Sequence, residues 1–228
     1  MIDVHSHILP FVDDGSKDMQ SSLSMLKTCE SVGVTDIILT PHYRGDFRAE
    51  KEVLMDRLLK LRTAAQDAKI NINLHLGQEF YIEKDFKQTV KDGKAVCFAD
   101  GKHLLIECNY EHRTDVAETV YELTTMGYVP IVAHIERYPY IDIDTAFEIK
   151  EVGGLIQVNA DSIADKKKRK YFKKVKQLLK YDLVDFVAGD LHDGRPYYMQ
   201  QASEYVKKKY GSEREERLFT LNALKIIK

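Results

Sequence analysis

The stretch MIDVHSHILPFVDDG (Met1–Gly15) joins a short apolar run to two histidines and an acidic loop. Because side chains at i and i+2 of a β-strand project from the same face, His5 and His7 would lie side by side. Asp13 and Asp14 follow where the apolar run has ended. This order predicts a first β-strand whose carboxyl end opens onto a polar site, and it argues against a polar tail.

The rest of the chain repeats this strand pattern and alternates it with amphipathic stretches. The apolar runs are residues 2–8, 36–40, 72–80, 103–108, 129–135, 154–160 and 185–191. Helical periodicity falls at about 16–32, 50–68, 113–127, 142–152, 166–181, 197–210 and 213–227, with Ser16 as the expected N-cap of the first helix. Strands that alternate with helices imply βαβ units and a parallel sheet. Seven such units predict an α/β fold of the closed or nearly closed barrel type, with an open doubly wound sheet as the alternative.

Composition describes an ordinary globular protein, with 44% hydrophobic and 31% charged residues among 228. That length predicts a single domain over residues 1–228. The formal net charge of −2 gives no overall attraction to nucleic acid or to a membrane surface. We find no signal-peptide pattern and no apolar run near the about 18 residues that span a bilayer. We therefore expect a cytoplasmic protein without stable membrane insertion.

The three cysteines are too few and too scattered to predict a disulfide framework or a zinc ribbon. Cys108 and Arg113 come near the Cys-x5-Arg spacing of thiol phosphatases, but only four residues separate them. A thiolate nucleophile is therefore disfavoured. The basic run KKKRKYFKKVKQLLK (166–180) carries apolar residues at helical spacing, which predicts a solvated helix face, with docking of an acidic partner as the alternative.

Most of the apolar runs end in residues that can bind a metal ion. The set comprises His5, His7, Asp14, His42, Glu79, Glu107, His134, Asp190 and His192. In a barrel of parallel strands these carboxyl ends converge on one face, where barrel enzymes build their sites. Taken singly, each residue has an ordinary alternative as a hydrogen-bonded core histidine, a loop residue or an ion-pair partner. Together they predict a polynuclear metal site, because a buried carboxylate is costly unless it is paired or metal-bound.

Nine nitrogen and oxygen donors without a thiolate suit two or three ions that share a bridging carboxylate. Mixed imidazole and carboxylate donors favour manganese, iron or zinc over calcium, magnesium or copper(I). Ions about 3.5–4 Å apart lower the pKa of a bound water towards about 7 and stabilise the oxygens of an in-line displacement. The donor set therefore predicts hydrolysis, with phosphate esters as the substrate class that gains most from such charge stabilisation.

Two arginines point to the same substrate class. Arg137 follows His134 by three residues, and Arg195 follows His192 by three residues. Guanidinium groups suit bidentate contact with phosphate. Arg44 is a third candidate, and a surface ion pair is the alternative for each.

The motifs DVHSHILPFVDDG, TPHYR, GQEF, HIERY and GDLHDGRP together resemble the PHP family, named for polymerase and histidinol phosphatase. The resemblance is greatest to its bacterial tyrosine-protein phosphatase branch, which is encoded with capsule and exopolysaccharide biosynthesis genes. It implies a distorted (β/α)7 barrel of the TIM-like type, with the active site at the carboxyl ends of the strands. It also implies a centre of three manganese ions, with iron and zinc as alternatives. The implied substrate is the phosphorylated tyrosine-rich tail of a bacterial tyrosine autokinase.

The resemblance also implies roles for individual residues. His5, His7, Glu79 and Asp190 would ligate one ion, Glu79 would bridge to a second held by Glu107 and His134, and Asp14, His42 and His192 would ligate the third. Arg137 and Arg195 would orient the phosphate. No role is assigned to Asp13. Phe11 stands where related loops read LPGVDDG, so we expect a reshaped loop if that position requires a positive φ.

Three other functions share these residues. One is a small-molecule phosphomonoesterase of the histidinol-phosphatase type. The second is a metallo-amidohydrolase, although Glu107 stands where such enzymes often have a carbamylated lysine. The third is a regulatory binding module whose metals are only structural.

Overall fold

The computed structural model describes residues 1–227, and the strands within this range pair in parallel. They are β1 (Ile2–Ser6), β2 (Asp36–Leu39), β3 (His42–Tyr43), β4 (Asn73–Leu76), β5 (Glu79–Tyr81), β6 (His103–Glu107), β7 (Val129–Val132), β8 (Leu155–Asn159) and β9 (Phe186–Ala188). One sheet has the order β1-β2-β4 and the other has the order β3-β5-β6-β7-β8-β9. Strands β4 and β5 correspond to the single predicted segment 72–80. The short strand β3 was not predicted, because it lies just past the segment 36–40 that forms β2. The other strands correspond one to one to the remaining predicted segments.

The two breaks have local causes. Pro41 has no N–H to donate to a ladder, and it separates β2 from β3. Gly77 separates β4 from β5 at a place where a Cβ would lie 2.5 Å from Cδ1 of Phe98. The ring of strands closes between β9 and β1. Just after β9, Asp190 N donates to His5 O at 2.8 Å, and His7 N donates to Leu191 O at 2.9 Å. The predicted α/β barrel is confirmed, and the open doubly wound alternative is wrong.

Helices connect the strands. They are α1 (Met19–Ser31), α2 (Lys51–Asp67), α3 (Phe86–Lys91), α4 (Val116–Thr125), α5 (Ile143–Glu151), α6 (Ala160–Ala164), α7 (Arg169–Lys180), α8 (Met199–Tyr210), α9 (Ser212–Glu216) and α10 (Asn222–Leu224). A 3-10 turn (Lys166–Lys168) precedes α7, and a π-helical turn (Arg217–Leu221) divides the predicted C-terminal helix. The predicted N-cap is wrong: Asp18, and not Ser16, accepts the backbone N–H of Ser21 at the start of α1.

The apolar core lies inside the barrel and between the barrel and its helices. Val4, Ile38, Leu105, Ile131 and Phe186 fill part of the barrel interior. The predicted metal-binding residues lie outside this apolar cluster, at the carboxyl ends of the strands. No helix within residues 1–227 is both long enough and apolar enough to cross a bilayer.

Candidate active site

Four buried donors form what we call the inner group: His5, Glu79, His134 and Asp190. Oε1 of Glu79 lies 2.9 Å from Nε2 of His134 and 3.4 Å from Nε2 of His5. Nε2 of His5 lies 3.6 Å from Oδ1 of Asp190. His134 and Asp190 both have positive φ values, 31° and 48°. This backbone geometry is costly for residues other than glycine and is often found at functional sites.

Four further donors form the outer group: His7, Asp14, His42 and His192. One ligand atom of each lies within 4.8 Å of the others. Oδ1 of Asp14 is 3.4 Å from Nε2 of His42 and 3.7 Å from Nε2 of His192. The three histidines are buried, whereas the Asp14 side chain is 44% exposed.

Glu79 links the two groups, and Glu107 lies at their junction. Oε2 of Glu79 is 2.8 Å from Nδ1 of His42 and 3.4 Å from Nε2 of His7. The Glu107 carboxylate lies 3.8 Å from His42 and 3.9 Å from His134. All nine predicted donors therefore meet at the carboxyl ends of the strands.

The ring nitrogens and carboxylate oxygens that face each other in this cluster are better placed to bind a cation than to form hydrogen bonds with one another. Nδ1 of His5 donates to Oε1 of Gln157 (3.1 Å), and Nδ1 of His7 donates to Oδ2 of Asp13 (2.7 Å). In the neutral rings, these bonds would leave the two Nε2 lone pairs facing each other, 3.2 Å apart. Nδ1 of His42 and Oε2 of Glu79 are buried and 2.8 Å apart, but they do not form a hydrogen bond with each other or with another group of residues 1–227. A donor set of imidazoles and carboxylates around such a gap fits manganese, iron or zinc.

The electrostatics of the cluster also favour a bound positive charge. Burial alone would lower the pKa of His5, but the carboxylates of Glu79 and Asp190 outweigh it, so the pKa is raised. Burial lowers the pKa of His134 to about 4, which keeps this imidazole neutral. Burial and the charge of Glu79 raise the pKa of Glu107 to about 8. A metal ion would displace protons that the unliganded cluster attracts.

Asp13 has a role that sequence analysis missed. Its carboxylate is buried, and it accepts the His7 Nδ1–H together with the backbone N–H groups of Gly15 (2.9 Å) and His42 (3.0 Å). A carboxylate behind a ligating histidine fixes the tautomer and the orientation of the ring. The sequence shows two adjacent acids, and only the folded loop distinguishes the one that faces inwards.

A chain of amides supports the inner group. Oε1 of Gln157 accepts the backbone N–H of His134 (2.8 Å) as well as the His5 ring N–H, and Nε2 of Gln157 donates to Asn159 (2.7 Å). Asn159 in turn donates to Oδ2 of Asp190 at 2.8 Å. Sequence analysis did not predict these hydrogen-bonded amides. The two polar residues at i and i+2 of the apolar segment GLIQVNA could have indicated them.

Seven of the nine donors, all except His5 and His7, line a cavity of about 550 Å³. Arg137 is largely buried in its wall, with Nη2 2.9 Å from Oδ2 of Asp190. Arg195 is exposed at the rim, and no carboxylate of residues 1–227 lies within 4.0 Å of it. Arg44 also lines the cavity and donates to Glu107 at 3.3 Å. The cavity therefore combines an acidic floor with a cationic rim.

The tyrosines near these loops differ in their surroundings. Tyr110 lines the cavity, and its hydroxyl donates to Oε1 of Glu107 at 2.9 Å. Tyr138 is fully buried, with its hydroxyl 3.2 Å from Nδ1 of His134. Tyr43 stacks on Phe80 with ring centroids 4.6 Å apart. Of these three, only Tyr110 is placed to contact a ligand in the cavity.

Two further positions bear on the predicted chemistry. Phe11 has a φ of 64°, so the position occupied by glycine in related loops does have the left-handed conformation here. Its ring is 57% exposed and lies beneath the guanidinium of Arg57.

Cys108 is fully buried, and burial together with the charge of Glu107 raises the pKa of its thiol. Both facts make Cys108 unsuitable as a nucleophile.

Comparison with known proteins identifies the family. Residues 1–228 match the family model described as capsular polysaccharide synthesis, CpsB/CapC. The chain is 32% identical to the tyrosine-protein phosphatase CpsB of Streptococcus pneumoniae, with coverage of 100% of this chain and 98% of that protein. It is 33% identical to the putative tyrosine-protein phosphatase CapC of Staphylococcus aureus, with coverage of 88% and 81%.

A solved structure agrees with this assignment. It comes from crystal structures of YwqE from Bacillus subtilis and CpsB from Streptococcus pneumoniae, described as unique metal-dependent tyrosine phosphatases. Its TM-score is 0.92 at 28% identity, and the match covers 100% of this chain and 94% of that chain. The predicted resemblance to the bacterial tyrosine-phosphatase branch is thereby confirmed. The chain belongs to the CpsB/CapC family of capsular polysaccharide synthesis proteins.

Proposed function

We propose that this protein is a metal-dependent phosphotyrosine-protein phosphatase that acts in capsular or exopolysaccharide synthesis. The observation that carries the proposal is the convergence of nine imidazole and carboxylate donors, seven of which line a cavity that arginines also line. The protein would hold three Mn²⁺ ions in one cytoplasmic domain formed by residues 1–228. Its relatives are named tyrosine-protein phosphatases, which favours this function over the histidinol-phosphatase type.

The proposed division of the ligands is the one that the family resemblance implies. It differs from the inner and outer groups, because it places His7 with three inner-group donors. His5, His7, Glu79 and Asp190 would hold one ion, Glu79, Glu107 and His134 a second, and Asp14, His42 and His192 a third. When bound, the ions would supply a water of lowered pKa and would stabilise charge on the phosphoryl oxygens.

The arginines would bind the phosphoryl group. Arg137 is held in place by Asp190, so its guanidinium is oriented before substrate enters. Arg195 has no ion-pair partner within residues 1–227 and is available to phosphate. We propose that the substrate is the phosphorylated tyrosine-rich tail of a bacterial tyrosine kinase.

A parallel assay tests this function. Phosphotyrosine peptide, phosphoserine peptide and histidinol phosphate are each incubated with Mn²⁺ and then with EDTA. We expect hydrolysis of the phosphotyrosine peptide in Mn²⁺ and none in EDTA, with activity retained in Cys108→Ser. Preference for histidinol phosphate would favour the small-molecule alternative, and loss of activity in Cys108→Ser would indicate a thiolate mechanism. Absence of any phosphoester hydrolysis with Mn²⁺ would favour the binding module.

A further inference from the structure

A strongly cationic segment begins beside the cavity. Residues 166–180 contain nine lysine and arginine side chains and no acid, although the whole chain has a formal net charge of −2. The 3-10 turn Lys166–Lys168 and the first turn of α7 carry five of these cations in succession. We call these five residues, Lys166 to Lys170, the cationic patch.

The patch is not neutralised by the protein itself. Lys168 has a carboxylate neighbour, Asp161, at 3.8 Å. Lys166, Lys167, Arg169 and Lys170 are exposed. No carboxylate within residues 1–227 lies within 4.0 Å of their side-chain nitrogens, although Asp165 accepts the backbone N–H of Lys167 at 2.8 Å. Cations in the first turn of a helix also oppose the helix dipole. The patch therefore lowers the stability of the free protein, and an anionic partner would relieve this repulsion.

The patch is continuous with the cavity. Lys168 and Tyr171 line the same cavity as Glu79 and Arg195. The ammonium group of Lys170 lies 4.6 Å from the centre of the Tyr171 ring, which brings its charge to the rim. A peptide whose phosphotyrosine enters the cavity must leave across this rim, so its neighbouring residues would pass the patch.

The chemistry of α7 favours a peptide over a lipid surface. Its apolar residues Val175, Leu178 and Leu179 are buried in the protein core. No apolar face of α7 is therefore left to enter a bilayer, as interfacial helices require. The exposed groups of the patch are charged, and they complement carboxylates.

We propose that the cationic patch binds acidic residues next to the phosphotyrosine of the protein substrate. This inference rests on the proposed phosphatase function. The patch then determines which phosphotyrosines are hydrolysed efficiently. It acts through KM, since it lies outside the metal cluster.

The test compares three phosphotyrosine peptides that differ only in their flanks: three glutamates, three glutamines or three lysines. The variant K166Q/K167Q/K170Q removes three charges from the patch. The control K207Q/K208Q/K209Q removes three exposed charges from the end of α8. Wild type and control should prefer the glutamate peptide over the glutamine peptide roughly tenfold in kcat/KM at low salt. The patch variant should show a ratio near one, and high salt should reduce the preference of wild type.

Equal hydrolysis of the three peptides by wild type would overturn the inference. An equal loss of preference in both variants would also overturn it, because the effect would then come from net charge alone. Binding to phosphatidylglycerol vesicles that is lost in the patch variant, without a peptide preference, would assign the patch to a membrane. Hydrolysis of free phosphotyrosine by wild type reports the phosphatase function separately, so failure of that function is distinguishable.

Discussion

The inner and outer groups of the cluster use the same kinds of donor but are held in different ways. The inner group is buried, and amides of β8 fix it through Gln157 and Asn159. The outer group includes Asp14, which is partly exposed in the loop between β1 and α1 and lies 3.4 Å or more from its nearest histidines. The difference teaches that the inner group is formed by the barrel, whereas the outer group depends on an exposed loop for one of its donors, Asp14.

This contrast has a physical consequence for metal binding. Donors whose orientation is fixed by hydrogen bonds lose little freedom when an ion binds. A donor on an exposed loop must be ordered when the ion binds, and this ordering costs binding free energy. We therefore expect the inner group to retain its metal more tightly than the outer group.

The largest expected effect is that of Glu79→Gln. Glu79 faces both groups, so neutralising its carboxylate would weaken the binding of more than one ion. We expect a loss of kcat of roughly 1000-fold on a phosphotyrosine peptide, with an unchanged thermal unfolding midpoint of the metal-free protein showing that the fold is intact. A variant with near-normal activity would contradict the central place given to Glu79.

Asp13→Asn tests the support of the outer group. The substitution keeps the shape but removes the charge behind His7, so we expect Mn²⁺ affinity or activity to fall roughly 10–100-fold. Asp193→Asn, in the loop after His192, is the matched control, because Lys17, at 3.8 Å, is the only ion-pair partner of its carboxylate within residues 1–227. Equal effects of the two substitutions would show that Asp13 acts through general charge.

Phe11 tests the backbone of the outer loop. Phe11→Gly and Phe11→Ala both remove the ring over Arg57, but only alanine keeps a Cβ at a φ of 64°. Glycine should therefore give the larger free energy of unfolding, by about 1 kcal/mol. Urea denaturation of both variants measures this difference, and greater stability of the alanine variant would refute a strained loop.

A further prediction concerns a lysine behind the inner group. Nζ of Lys174 donates to the carbonyl oxygens of Ile135 (2.9 Å) and Tyr138 (2.7 Å), and burial lowers its pKa to about 8. The unfolded chain, with an ordinary lysine pKa of 10.5, binds more protons above pH 8. The free energy of unfolding of wild type should thus rise with pH across this window, relative to Lys174→Met. A difference between the two proteins that does not change from pH 7 to pH 10 would contradict this.

The sequence was sufficient to predict the barrel, because its strands and helices have clear periods. It was also sufficient to predict that nine imidazole and carboxylate side chains converge, because they lie at or near the ends of apolar runs. The sequence was not sufficient where contacts between residues distant in the sequence determine which side chains face the site. Asp13 and Asp14 are adjacent acids, and only the loop turns one inwards. Gln157 and Asn159 resemble ordinary strand polar residues until His5 and Asp190 are placed beside them. The kinks at Pro41 and Gly77 likewise depend on how the strands pack. The residue roles that the family resemblance implies stay predictions.

The most direct test of the account is to count the ions bound per chain while Mn²⁺ restores activity to the metal-free protein. Chelator-treated wild type and Asp14→Ala are titrated with Mn²⁺, and bound metal and phosphotyrosine hydrolysis are measured on the same samples. We predict three ions per chain in wild type, with activity appearing only as the last one binds, and two ions with little activity in Asp14→Ala. Full activity in metal-free protein, or an unchanged ion count in Asp14→Ala, would contradict the account.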